Sequence, residues 1–164
     1  MADTIFTGPI KAGNVLQSDG TGNLAGVGGS TGTANVGYAV MCQSEVITQA
    51  TNGSSAGVYT TSIVIPAQSQ ILSVVLMVTT AWTGTAKTVG VGTTASATAL
   101  TTAGAVDGSA LGRIVVTPGT GATQIANWDN IGNTDVKIVL TSTNTGSGVG
   151  TLHVTYVQGI NLAS

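Results

Sequence analysis

At 164 residues the chain is long enough for one domain with a real core. Only 6% of its residues are charged and the formal net charge is -2, where an ordinary soluble domain carries about 25% charged residues. Four basic residues are too few for the phosphate contacts that build nucleic-acid affinity, so no direct nucleic-acid partner is expected. The single Cys42 excludes a disulfide scaffold and reads as a buried thiol. Hydrophobic residues reach 42%, but aromatics only 4%, and 28 Thr accompany 24 Gly. The core is therefore built from small side chains, and the surface from hydroxyls and amides. Such a surface has little charge to keep copies apart, which points to one occupied by partners. The start MADTIFTGPIKAG lacks a basic segment followed by an apolar one, so a secretory leader is not expected. The run Val74 to Val78 is far too short to span a membrane.

Residues 1–35 differ from the rest. Short apolar groups at Ile5, Phe6, Ile10, Val15 and Leu16 alternate with Gly-rich turns, and AGVGGSTGTAN follows Leu24. Gly, Ala, Ser and Thr in such density have high backbone entropy and little to bury. The stretch reads as an extended arm with an apolar share that suits docking on another copy; a leader that packs on nothing is the plain alternative. The body is expected over 36–164. Its first strand is placed at Val36 to Thr48, and Thr51 to Ser55 is a turn. Tyr59 to Ile65 and Ile71 to Thr79 then read as two strands of a central hairpin, rich in Val and Ile and separated by Pro66. Further strands are expected at Lys87–Val91, Leu111–Thr117, Gln124–Trp128, Asp135–Thr141 and Val149–Val157, with a surface loop over Thr93–Gly104. In the last strand, Gly150, Leu152, Val154 and Tyr156 alternate with Val149, Thr151, His153, Thr155 and Val157. Many short strands, frequent turns and no long helix predict an all-β fold. It is an antiparallel β-sandwich whose topology, jelly-roll-like or immunoglobulin-like, stays open at this point.

The chemistry-bearing residues make no catalytic set. Gly20-Thr21-Gly22-Asn23-Leu24-Ala25 and Gly90-Val91-Gly92-Thr93-Thr94-Ala95 fit a loose dinucleotide pattern, but neither opens a βαβ unit, so both read as glycine-rich turns. Asp19, Thr21 and Asn23 alternate like the start of a calcium loop without its terminal Glu. His153 is the single histidine, and the carboxylates are scattered. No enzyme activity, metal or cofactor is expected. Trp82 and Trp128 each sit at the end of an apolar segment. They suit a sandwich cap, a protein interface or a sugar-stacking platform.

Val15-Leu16, Ser18-Asp19-Gly20 and Gly22-Asn23 resemble a phrase near the N-termini of fibre and head-surface proteins of tailed bacteriophages, although Leu24-Ala25-Gly26 follows where those modules often carry an aromatic. Ile65 to Gly92, IPAQSQILSVVLMVTTAWTGTAKTVGVG, is similar to β-sandwich components of phage particles. The resemblance implies a many-copy virion protein made in the host cytoplasm, with no catalytic residue carried over. The expected role is a capsid decoration protein that binds across neighbouring major capsid subunits. A short fibre, knob or tail component and a carbohydrate-binding module are the alternatives. The expected partners are the major capsid protein and further copies of the chain, as a homotrimer, with no membrane. The candidate interface residues are Ile5, Phe6, Ile10, Val15, Leu16, Trp82 and Trp128.

Overall fold

A computed structural model describes residues 40–49, 58–84, 87–142 and 146–157. The chain divides between Ala39 and Val40, and every described residue belongs to the second unit. The expected arm over 1–35, and with it Ile5, Phe6, Ile10, Val15 and Leu16, lies outside the described residues. Eight strands and one short helix follow: β1 Val40–Thr48, β2 Val58–Ile65, β3 Gln70–Thr80, β4 Thr88–Thr93, β5 Val106–Asp107, β6 Gly112–Val116, α1 Ala122–Asp129, β7 Val136–Ser142 and β8 Val149–Val157. They form two four-stranded antiparallel sheets, ordered β1-β8-β3-β6 and β2-β7-β4-β5. The first strand pairs with the last, the second with the seventh, the third with the sixth and the fourth with the fifth. This is an antiparallel ribbon rolled on itself, the jelly-roll connectivity.

Alternation along the strands supplies the core between the sheets. On β8, Gly150, Leu152, Val154 and Tyr156 are buried and the residues between them half-buried. Directly opposite partners share a face, so Leu152 faces Leu76 and Val154 faces Val74, both on β3 and both buried. Ile138 and Leu140 of β7, with Val89 and Val91 of β4, close the core from the second sheet.

Three expectations need correction. Residues 58–80 hold the two expected strands, but β2 and β3 lie in different sheets, so they form an arch and not a hairpin. The connection Pro66 to Ser69 is tied to the segment before β7. Ala67 donates its N–H to Asp135 Oδ1 at 2.9 Å, and Gln68 donates to the Gly132 carbonyl at 2.6 Å. Residues so engaged aim the chain across the sandwich instead of back along the same sheet.

Gln124 to Trp128 is helical, not extended. Gln124 Oε1 accepts the Gly121 N–H at 3.0 Å, which fixes the first turn. Gln124, Asn127 and Trp128, spaced i, i+3 and i+4, then reach three successive carbonyls. Gln124 Nε2 donates to Thr98, Asn127 Nδ2 to Ala99 and Trp128 Nε1 to Leu100, at 3.0, 2.9 and 3.1 Å. Only a helix brings these side chains to one face.

Residues 94–104 are also not simply a surface loop. Leu100 and Thr101 are fully buried. Thr101 continues the ladder beyond the two-residue β5: its Oγ1 accepts the Val91 N–H at 2.8 Å, and its N–H donates to the Val91 carbonyl at 2.9 Å.

Candidate interaction surface

The two sheets treat their outer faces differently. Over the second sheet the chain covers itself. A Cβ on Gly92 would lie 2.3 Å from the Ala97 carbonyl carbon, and one on Gly90 would lie 3.4 Å from the Gly104 nitrogen. Gly92 is thus required by the close approach of the 94–104 segment, whereas Gly90 makes room chiefly for the Thr141 hydroxyl of β7, 2.4 Å from where its Cβ would stand. The outer residues of β2 and β7 that reach solvent include Thr60, Ser62 and Lys137.

The outer face of the first sheet has no such cover among the described residues. The register places Val46, Thr151, Met77 and Arg113 in one row across the four strands, and Ser44, His153, Val75 and Val115 in the next. Val46, Val115 and Met77 are 63%, 51% and 36% exposed. Seven of the eight exposed large apolar side chains among the described residues lie on β1, on β3, on β6 or just before it, and of these only Met41 has the inner parity, opposite Tyr156. Arg113 is the one charged residue pointing outward from the four strands. Exposed apolar groups scattered singly are ordinary, but several gathered on one sheet face make it a candidate contact surface.

The seam between the edge strands β1 and β2 is closed by side chains. Gln43 acts as a partner strand would: its Oε1 accepts the Val64 N–H at 3.2 Å and its Nε2 donates to the Val64 carbonyl at 2.7 Å. Glu45 accepts the Ser62 N–H and the Ser62 hydroxyl, both at 2.6 Å, and the Tyr59 hydroxyl. Burial opposes the charge on Glu45, but the bonds from the Ser62 hydroxyl, Tyr59 and the Ser62 N–H outweigh it and hold its carboxyl below the ordinary value. The same bond to Glu45, helped by burial and by the carboxylate charge, raises the Tyr59 phenol. The β2 edge is thereby blunted against pairing with another chain.

The other residues singled out in the sequence have structural places. Trp82 is 1% exposed, lies between Gly108 and Gly148, and donates its Nε1–H to Ser142 Oγ at 2.9 Å. Trp128 is 8% exposed and belongs to the same core. Both indoles are therefore caps of the sandwich, and neither offers a ring face to a partner or a sugar; their place as candidate interface residues is corrected. Cys42 is exposed, not buried, because β1 turns it to the outer face opposite Thr155. His153 is half-buried on that face. Glu45 and Asp135 bond the structure as described, and Asp107 accepts the Ser109 N–H at 2.9 Å, which with the Ser109 hydroxyl lowers its carboxyl. Among the described residues no group of three or more His, Cys, Asp or Glu could hold a metal ion, and no helix is long and apolar enough to cross a membrane. A cleft of about 540 Å³ lies between the 93–99 segment and α1, but Gln124 and Asn127 on its wall already spend their amides on the Thr98 and Ala99 carbonyls.

Comparison with known proteins bears on the fold. A solved chain from the cyanophage Pam1 capsid asymmetric unit superposes with a TM-score of 0.50 at 21% identity. The match covers 87% of this chain and 98% of that one. The two chains share a fold. No family model matches the sequence, and no curated protein matches it. The shared fold spans nearly the whole of the Pam1 chain, so it concerns the sandwich as a unit and not one motif.

Proposed function

We propose that the chain is a structural, non-enzymatic protein of a phage particle that decorates the capsid and stabilises it by bridging neighbouring major capsid subunits. The observation that carries this reading is the fold shared with a chain of the cyanophage Pam1 capsid asymmetric unit over 98% of that chain. The open outer face of the first sheet and the 6% charge support it, since both suit a protein that spends its life in contact with others. In this reading the body is a homotrimer. The arm of residues 1–35, with Ile5, Phe6, Ile10, Val15 and Leu16, reaches a neighbouring subunit and adds main-chain hydrogen bonds there. Many equal weak contacts over the shell then sum by avidity.

The test is immunogold labelling of intact particles with an antibody to the sandwich body. Label spread over the head is the expected result. Label confined to the tail or one vertex would transfer the chain to the fibre, knob or tail reading, and particles without label would end both. The carbohydrate-binding alternative draws on Trp82, Trp128 and the Thr/Asn-rich loops, and the two indoles are inside the sandwich.

A further inference from the structure

We infer that the outer face of the β1-β8-β3-β6 sheet is the contact between copies of this chain. This deepens the homo-oligomer part of the reading above by naming the surface, and it stands or falls without the particle.

Three observations point to a second copy as the occupant. The first is size. Four strands about 4.8 Å apart and about nine residues long, at about 3.3 Å per residue, present about 500 Å² in projection. Val46, Val75, Met77 and Val115 share that area with Ser44, Thr151, Thr155 and His153, and the whole face is a large part of the roughly 800 Å² per partner in a stable interface.

The second is charge. An ordinary protein surface would press unpaired ions against a face that offers only Arg113 in return, and burying an unpaired charge is costly. A second copy, only 6% charged overall, brings far fewer ions to bury. Arg113 lies on β6, the edge strand of the sheet, where its guanidinium can stay at the wet rim.

The third is one-sidedness. The second sheet is covered by residues 94–104 of its own chain, whereas the first keeps Val46, Met77 and Val115 in solvent. Among the described residues the chain covers part of one outer face and none of the other.

The experiment uses the full chain in two ways. Light scattering and sedimentation should give an oligomer for the natural protein, and V46E/V115E should lose at least tenfold in self-association while keeping its β-sheet circular dichroism. T102E, on the covered side, should keep the natural mass. Because the double variant could fail to fold, Cys42 of the natural protein serves as an independent probe, since it lies on the same face opposite Thr155. Its alkylation by a maleimide should slow at least tenfold between dilute and concentrated protein. A natural chain that stays monomeric when concentrated, a folded V46E/V115E with the natural mass, or Cys42 alkylation independent of concentration would each overturn the inference. None of these outcomes bears on where label falls on the particle.

Discussion

The indole of Trp82 gives the sharpest test of how this sandwich is packed. A Cβ added at Gly148 would lie 2.5 Å from Trp82 Cδ2, 2.7 Å from Cε3 and 2.9 Å from the Trp82 Cα. The indole is held by the bond from its Nε1–H to Ser142 Oγ at 2.9 Å, and Gly108 packs on it so closely that a Cβ there would also stand 3.0 Å from Cδ2. Rotation cannot relieve the approach to the Trp82 main chain, which the N–H bond to the Gly108 carbonyl fixes at 2.9 Å. Gly148 does not adopt a positive φ, so G148A adds contact and no backbone strain. Overpacking of this kind costs about 1–3 kcal/mol, and the upper end applies where main chain is among the atoms met. Loss of glycine freedom in the unfolded chain returns about 0.4–1 kcal/mol. The net loss is about 2 kcal/mol, which in a chain of this length lowers Tm by about 4–8 °C. Thermal unfolding followed by circular dichroism, with a urea titration beside it, reads the effect. A G148A protein melting within 1 °C of the natural one would refute the close packing of Gly148 on Trp82.

Thr101→Val removes the hydroxyl that takes the Val91 N–H and leaves that amide without a partner in the core; urea denaturation should show a loss of about 1–3 kcal/mol. Glu45 has its carboxyl held below its ordinary value of 4.5, so its stabilisation is complete above that pH and is lost as pH falls through the folded-state value. Tm measured from pH 7 downward should therefore drop more steeply for the natural chain than for E45Q, by an amount limited to about 1 kcal/mol because solvent reaches the seam; parallel curves would mean that Glu45 does not latch β1 to β2.

The strands were legible because their period is local. Val149 to Val157 alternates without exception, and DVKIVLT and LGRIVVT announce themselves by β-branched content. Which strands pair was not legible. The direction taken after Ile65 is set by Asp135 and Gly132, about 70 residues away, which hold Ala67 and Gln68. The helix at Ala122–Asp129 escaped notice for a similar reason. QIANW has no strong helical period, and its stability comes from the carbonyls of Thr98, Ala99 and Leu100. The signal that was present is the spacing of three side-chain donors at Gln124, Asn127 and Trp128. Cys42 was misplaced because thiols are usually buried, whereas its strand, at the sheet edge, buries Ile47 and turns Cys42 outward.

The face proposed as a contact surface was hidden for a different reason. Val46, Val75 and Val115 look in the sequence like any inward-facing valine, and the aromatic residues that draw attention are both inside. An edge strand such as β1 ordinarily carries charges against unwanted association, yet its single charge, Glu45, faces inward to Tyr59 and Ser62. Gln43 does the same for Val64. Gln43 and Glu45 are thus spent on closing the sandwich, and the outer side of β1 keeps Val40 and Val46 beside Ser44. A monomer meant to stay alone would distribute them the other way, with the ions outside and the valines in the seam. The reversal costs solubility for the isolated chain and gives it a face whose one charge is Arg113. Such a face suits the contact between copies proposed above.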